Sequence, residues 1–383
     1  MKRILIILNY VSIVLLLLSY ISPFIDPRIF WPIALCGLVF PFLLIGNGLL
    51  LLYWIVKRKK RKWVSLVVIL LGMPYAVRYL QINSGSDPAQ SEEGVSIDIL
   101  SFNVRLFDLY NWKNAENEVT RDNIYKFLAD EDADIMCFQE YYSNDRGDFT
   151  GVSHIVEIQG SGYHHIEYSN SIGRSHWGIA TFSKYPIVNK GSVSFSQKTN
   201  NICIFSDIVV GKDTVRVYNA HLGSVHFGYE EYDFLQAVAQ KEGSRDSSGP
   251  LGKSQQIEKA RREDVPFRDI VASMVRLLRD AYINRAEQAS AVAEHASSSP
   301  YPVVICGDIN DTPVSYAYQQ LSDQRLDAFM EAGNGFGNSY AGVVPLFRID
   351  YILCDERIHL LDFNTRGDID YSDHYPLSCT LEL

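Results

Sequence analysis

The chain has 383 residues, of which 47% are hydrophobic and 21% charged, with a formal net charge of −10. Ten of the 35 Lys/Arg residues but one of the 45 acidic residues lie in positions 1–82, which leaves 25 basic against 44 acidic residues beyond, a net of −19. Such an acidic segment lacks the basic face that loose, charge-driven nucleic-acid binding needs, although it does not exclude a nuclease that brings divalent cations to its substrate. Six cysteines show no CxxC pair and no paired spacing. Cys36 lies in an apolar run and the other five mostly in β-like stretches such as IMCFQE and VVICGD, so buried free thiols are expected rather than disulfides or metal ligands.

In chain order, MKR is followed by eighteen uncharged residues, ILIILNYVSIVLLLLSYI (4–21). A signal peptide fits poorly, because no A-x-A-like cleavage site follows and more apolar segments come next. The second run, 30–56, is long enough to cross a bilayer, and its prolines and glycines are tolerable there. KRKKRK (57–62) precedes a third run, 63–82, which Arg78 interrupts near its end, where a long side chain can snorkel to the interface. Three spans are expected, in preference to two spans with an interfacial helix. The basic clusters should stay cytoplasmic. Three spans with the N-terminus inside then put residue 83 onward outside the cytoplasm, and a third run that fails to cross would leave it inside. The expected organisation is a transmembrane region of about three helices (1–82), a polar linker (83–94) and one large domain (95–383).

Within that domain, VSIDILSFNVRLF (95–107) alternates and reads as a strand ending near Asn103. A polar helical stretch (121–134) leads to the strand DIMCFQE (134–140), which stops at Glu140. Further strands are expected at 162–169, 177–187, 201–211 and 213–223. The long segment 227–298 is helical over roughly 266–296 and loop-like at 242–254. The closing strands are 303–308, 347–355 and 375–383. Many strands, several antiparallel-compatible, with two clear helical regions suggest packed sheets with helices outside.

Several apolar strands end in, or run past, a polar residue: Asn103 after ILSF, Glu140 after IMCFQ, His221 after VRVYNA, and Asp308 and Asn310 after VVICG. Asp350 sits within FRIDYIL, and Asp373-His374 precede YPLSCTL. Singly, each has an ordinary explanation as a turn, solvated or core residue. GDIND also has the 1-3-5 spacing of a calcium loop, but Pro313 stands where that loop needs Gly and Gln319 where it needs Glu, so that reading fails.

Taken together, SFNV, QE, NAHL, GDIND, RIDYI and SDHYP resemble the endonuclease/exonuclease/phosphatase superfamily, of membrane-anchored bacterial type, over roughly 96–383. The one visible departure is Ile309, where Phe is common. The resemblance implies a deoxyribonuclease-I-like, four-layer α/β sandwich, two facing mixed sheets flanked by helices, with the site at one end. It implies Mg²⁺-dependent hydrolysis of a phosphoester, with Mn²⁺ as a substitute. A hard cation with oxygen ligands neutralises the anionic ester and polarises the phosphorus. By resemblance, Glu140 is the first metal ligand, helped by Asn103 and Asp373. Asp308 orients or deprotonates the attacking water, and Asn310 holds the same group or a phosphate oxygen. His374 binds or protonates phosphate oxygen with Asp350 holding its ring, and His221 donates to a non-bridging oxygen. A stiff, buried strand would deliver Asp308 and Asn310, with Ile309 pointing into the core.

Asp311, Arg348, His226 and Asn219 are supporting candidates. Trp177 is expected in the core, and Arg285 and Gln288 on a solvated helix face. The expected partners are the lipid bilayer and a phosphoester substrate, whether nucleic acid, lipid headgroup or small ester, with no protein partner. The tether and the acidic balance favour a lipid or small ester, and 227–265 is the expected substrate-selecting insertion. The rival is a non-catalytic membrane-anchored binding protein of the same fold, which would usually have lost one of the Glu, Asp or His residues retained here.

Overall fold

Long apolar runs bounded by prolines and by the basic cluster shape the N-terminal region. The computed structural model describes residues 2–82, 94–112, 117–147, 149–196, 200–225, 267–342 and 346–383, so most of the 83–94 linker, His226 and the 227–265 insertion lie outside the described residues. Helix α1 (Lys2–Ile21) is followed by the short α2 (Pro27–Phe30) and α3 (Pro32–Leu38), then α4 (Phe40–Val56), α5 (Arg61–Leu71) and α6 (Met73–Ala76). Strand β1 (Leu80–Gln81) closes the region. The segment Arg3–Phe24 is long and apolar enough to cross a membrane on its own, and α3 with α4 would qualify as one span bent by 64°. The expectation of a third span needs correction. Gly72 and Pro74 divide the run, and the eleven residues of α5 cover about 16 Å, against a hydrocarbon thickness of about 30 Å.

α5 nonetheless packs beside α1 and α4. At one end Asn9 Oδ1 accepts from Trp54 Nε1 (2.9 Å) and Ser65 Oγ (3.2 Å), with Arg61 over the Trp54 ring. At the other, Tyr20 stacks on Tyr75 and donates to the Val68 carbonyl. The basic residues 57–62 therefore lie at the end away from the large domain.

The large domain grows from strands β2 (Ser96–Asn103), β3 (Ile135–Asn144), β4 (Tyr163–Ile172), β5 (Ser175–Ser183), β6 (Ile187–Ser192), β7 (Ile202–Val210), β8 (Asp213–His221) and β9 (Val303–Asp308). After these come β10 (Arg325–Asp327), β11 (Gly335–Phe336), β12 (Asp350–Asp355), β13 (His359–Thr365) and β14 (Leu377–Glu382). Two six-stranded sheets form, in the orders β13-β14-β2-β3-β5-β4 and β10-β12-β9-β8-β7-β6. The β2–β3 and β8–β9 pairs are parallel and the others antiparallel, so both sheets are mixed. Run 177–187 is split between β5 and β6, and β12 is shorter than 347–355.

Alternate residues of each strand face opposite ways. Ile97, Ile99, Ile135 and Cys137 meet Val215, Val217, Val304 and Cys306 between the sheets. On the outer face of the first sheet, Leu100, Phe102, Met136 and Phe138 pack under α7 (Asn117–Glu131) and α8 (Gly151–Gln159). On the outer face of the second, Tyr218, Ala220, Val303 and Ile305 pack under α9 (Phe267–Ser297) and α10 (Tyr316–Ser322). The result is the four-layer sandwich, with strands buried on both sides. Cys137, Cys203, Cys306, Cys354 and Cys379 are buried free thiols and Cys36 is a half-buried one.

The helical bundle docks on the domain through the turn after β9. Val314 is fully buried in the cluster of Ile13, Leu16, Tyr20, Phe40 and Val68. Its carbonyl accepts from Ser22 Oγ (3.4 Å), and the Pro313 carbonyl accepts from Arg78 Nη1 (2.8 Å). Gly37 passes so close that a Cβ there would collide with the Val314 carbonyl. β1 adds to β11, and Gly337 N donates to the Tyr79 carbonyl (3.1 Å).

One polar network bridges the two sheets beneath the site. Gln139 Nε2 donates to Asn219 Oδ1 (2.7 Å), and Asn219 Nδ2 donates to the Ala180 carbonyl (2.9 Å). Both side chains are fully buried. Replacing Asn219 by Ala removes the shortest of the Gln139 Nε2 hydrogen bonds and the donor to the Ala180 carbonyl and leaves a buried gap. Asn219→Ala should therefore destabilise the chain by about 1–3 kcal/mol, read from denaturant unfolding of the detergent-solubilised protein.

Candidate functional site

The rows of side chains that fill the space between the sheets are apolar until their last positions, where they turn polar together. Val215, Val217, Asn219 and His221 follow one another on β8, and Val304, Cys306 and Asp308 on β9. β12 runs antiparallel to β9, so its row starts at Asp350 and continues into Ile352 and Cys354. Register then aligns the three termini, because His221 pairs with Asp308 and Asp308 with Asp350 across neighbouring strands. The facing sheet contributes Ile99, Ser101 and Asn103 on β2, with Gln139 and Glu140 beside them on β3. The turn before β14 brings Asp373 and His374 to the same end, tied to β2 by Ser372 Oγ donating to the Asn103 carbonyl (2.8 Å).

Two backbone features aim the side chains. β3 does not stop at Glu140 as expected; a bulge between Phe138 and Tyr141 interrupts its pairing, and the strand continues to Asn144. Glu140 takes a left-handed conformation (φ 48°), and the extra residue turns its carboxylate toward the inter-sheet space. Asn310 is not delivered by a strand either. β9 ends at Asp308, and Asn310 follows in a left-handed turn (φ 57°), its amide N–H donating to Asp308 Oδ1 (2.9 Å). Ile309 does point into the core, as expected. Gly307 (φ 137°) carries β9 so close to β8 that a Cβ would meet the Ala220 carbonyl.

Asp308 is the hub. Its Oδ2 accepts from Asn103 Nδ2 (3.0 Å) and lies 3.7 Å from both His221 Nε2 and His374 Nε2. Glu140 Oε1 lies 3.4 Å from Asn103 Nδ2 and 3.8 Å from His221 Nε2. His374 Nδ1 sits 2.9 and 3.1 Å from the two Asp350 oxygens. Asn310 Nδ2 donates to the Leu222 carbonyl (3.1 Å), next to His221. Asp373 is joined to Arg105, Oδ2 to Nε 3.5 Å. The eight residues singled out in the sequence thus share one end of the sandwich.

Burial pushes the Asp308 carboxyl up to about 6, against the pull of the nearby His374. Burial alone would lower His374, but the carboxylates of Asp350 and Asp308 outweigh it and carry the imidazole well above the ordinary histidine range. Desolvation, and then the Asp373 carboxylate, raise Glu140.

Two donor sets could hold a cation. Asp308, Asp350 and His374 have ligand atoms within 4.8 Å of one another. In that trio, however, both Asp350 oxygens already face the His374 ring, which makes it an ion-paired couple. The Glu140 and Asp373 carboxylates repel one another, which a hard divalent cation between them would relieve, although Asn103 turns its amide nitrogen toward Glu140 while its Oδ1 accepts from Arg105 N (3.1 Å). The site therefore combines clustered carboxylates able to hold a cation, a buried carboxylate raised by burial and two imidazoles facing one point, which suits activation of water against an anionic ester.

Other expectations fared unevenly. Asp311 and Arg348 are buried support. Asp311 accepts from Arg285 Nε (3.1 Å), and Arg348 pairs with Asp327 and donates to the Arg78 carbonyl (3.2 Å). Arg285 and Gln288 do not lie on a solvated face; both are buried. Arg285 Nη1 donates to the Gly223 carbonyl and Gln288 Oε1 accepts from Gly223 N, which pins the loop after His221. Trp177 is half-buried and packs against the core cluster at Tyr142, at its edge rather than its centre. Two residues were missed. Arg105 lies over the Trp112 ring at the site's rim, held there by an unusual run of left-handed residues from Arg105 to Asp108. Tyr340 pairs with His374 and its ring lies 5.4 Å from the imidazole. Neither sits at the end of an apolar row, the signal that marked the others.

A model of the endonuclease/exonuclease/phosphatase family matches residues 100–374, and a domain of unknown function matches residues 2–79. The fold is similar to that of an endonuclease/exonuclease/phosphatase from Beutenbergia cavernae, with a TM-score of 0.51 at 15% identity over 75% of this chain and 72% of that one. A family protein from Bacteroides thetaiotaomicron gives 0.47 at 15% identity over 76% and 99%. The catalytic domain of human Nocturnin with bound sulfate gives 0.47 at 13% identity over 75% and 94%. No curated protein is similar enough to match.

The ion-paired geometry has a direct spectroscopic consequence. In chelator-treated protein at pH 7, the His374 ring should be cationic in ¹⁵N NMR spectra. Asp350→Asn removes the nearest carboxylate and should lower its titration midpoint; an unchanged midpoint would contradict the assigned pairing.

Proposed function

Because the chain belongs to the endonuclease/exonuclease/phosphatase family, we propose that it is a membrane-anchored, divalent-cation-dependent phosphoesterase whose catalytic domain stands outside the cytoplasm. The observation that carries the hydrolase reading is the convergence of His221, Asp308 and Asp350 from one sheet with Asn103, Glu140 and His374 from the other.

Glu140, Asn103 and Asp373 would hold the cation, Mg²⁺ in the first instance, Asn103 by turning its amide oxygen toward it. When bound, it neutralises and polarises the phosphoryl group. Asp308 takes its place opposite the leaving oxygen, where it orients water and accepts its proton. The water oxygen bonds to phosphorus, the ester P–O bond breaks, the leaving oxygen takes a proton from solvent, and Asp308 returns the water proton to solvent. His374, kept cationic and fixed in orientation by Asp350, and His221 donate to phosphate oxygens as charge builds on them. Asn310 fixes the Asp308 carboxylate through its backbone N–H.

The anchor and its orientation rest on the bundle. α1 begins with Lys2 and Arg3, the basic cluster 57–62 lies at that same end, and the domain docks at the opposite end through Ser22 and Val314. Keeping the basic end cytoplasmic puts the domain on the other side. On this reading α5 and α6 together are the return across the bilayer, a crossing broken at Gly72 rather than one continuous helix, with Ser65 level with Asn9 and Tyr75 level with Tyr20.

Two measurements test the two halves. The full chain in detergent should hydrolyse bis(4-nitrophenyl) phosphate with Mg²⁺, while chelator or Asp308→Ala should lower the rate at least ~10²-fold. Equal rates in all three would remove the enzyme. Ile82, 86% exposed just beyond β1, tests the orientation. Ile82→Cys in a Cys36→Ser background should react with an impermeant maleimide on intact cells, and protection until lysis would put the domain in the cytoplasm.

A further inference from the structure

The junction between bundle and domain holds a feature that the catalytic reading does not use. A cavity of about 260 Å³ lies between α4 and the segment that leads into the site, lined by Leu44, Ile45, Ala76, Leu80, Phe336 and Leu346 among others. Its lining residues are apolar apart from Tyr79 and Asn338. Ile45 (53% exposed) and Phe336 (62% exposed) leave it open toward the outer face of the bundle.

From Ile45 an exposed apolar stripe continues along α4 through Leu49, Leu52 and Val56, spaced four, three and four residues apart. That spacing keeps them on one face of the helix. In a membrane this face meets lipid chains, so the stripe and the cavity form one continuous apolar track. At its other end the cavity borders the segment that supports the catalytic residues. Asn338 lines the cavity, and the next residue, Ser339, accepts through Oγ from Ile349 N (3.0 Å) and Asp350 N (2.9 Å). Tyr340 pairs with His374. The turn that carries Asp308 and Asn310 is itself seated in the bundle through Val314.

We infer that the site takes a membrane lipid bearing a phosphoester headgroup, with the lipid's hydrocarbon chain in the α4–Phe336 cavity and its phosphate at Asp308 and His374. This rests on the phosphoesterase reading above and narrows it. A chain that slides from the bilayer into this cavity passes between apolar surroundings and never enters water. A long polyanion would have to approach both a membrane face and a soluble portion, residues 83–383, of net charge −19.

The test uses the full chain in phosphatidylcholine nanodiscs containing phosphatidic acid with a diazirine on its acyl chain. Photolysis in the presence of chelator should label Phe336 or Leu346, which belong to the domain and not to a membrane helix. Pocket-filling variants, Ala76→Phe and independently Leu44→Trp, should reduce that label at least tenfold and leave the rate on bis(4-nitrophenyl) phosphate within twofold. Unlabelled phosphatidic acid should raise the KM for the soluble ester in the unmodified chain and lose this effect in the variants. Labelling confined to α1 and α4, labelling indifferent to both variants, or labelling without competition overturns the lipid assignment while activity on the soluble ester keeps the enzyme. Absence of activity on the soluble ester removes the catalytic reading and the lipid assignment with it.

Discussion

A carboxylate with almost no exposure, Asp308, is the constraint around which this protein is arranged. A buried charge is stable only if neighbouring groups replace the water it has lost. Here Asn103 and the Asn310 backbone donate to its two oxygens, and two imidazoles stand 3.7 Å from one of them. Those donors come from both sheets and from the turns between strands. The hub therefore holds only if the sandwich closes in the correct register. Gly307, which lets β9 approach β8, and the Gln139–Asn219 bridge one layer deeper set that closure.

The site is also where the backbone departs from its preferred conformations. Glu140 and Asn310 are left-handed, at a cost of about 1–3 kcal/mol each. Both departures turn a polar group toward Asp308 that a regular strand would point elsewhere. Arg285, Gln288 and Asp311 stiffen the loop after His221 from behind, so the surroundings hold the strained residues in place. The turn after β9 is bound on its far side by Val314 in the helical bundle. Disturbance of that bundle is thus transmitted to the residues next to the hub through a packed, hydrogen-bonded contact.

Much of this was legible in the sequence because the site is the polar end of the core. Rows such as VRVYNAH and VVICGD are β-branched and apolar up to the residue that carries the chemistry, so ordinary strand patterning marks both the element and its functional terminus. Legibility failed where a tertiary partner decided the outcome. Arg285 and Gln288 carry the chemistry of a solvated helix face, and only the loop carbonyl and amide of Gly223 bring them inside. The bulge at Glu140 leaves no local signal, because nothing in IMCFQEYYSN asks for a left-handed residue. β13, HLLDFNT, is too polar to be recognised as a strand without β14 to pair with. The third apolar run has the composition of a span but not the continuity, since Gly72 and Pro74 break it.

On the proposed reading, the same junction discriminates between substrates of equal chemical reactivity. The catalytic residues recognise a phosphate and a cation position, features common to a nucleic acid, a small ester and a lipid headgroup. What distinguishes these substrates is the surface beside the phosphate. Drawing a lipid chain out of the bilayer into water would cost about 0.8 kcal/mol for each methylene exposed, which would exclude lipids from an isolated soluble site. On the proposed reading, an apolar cavity that opens on the outer face of the bundle beside the site would lower that cost. The segment 336–340, which lines that cavity on one side and supports Asp350 and His374 on the other, is the physical link between where a chain would lie and where its phosphate would react.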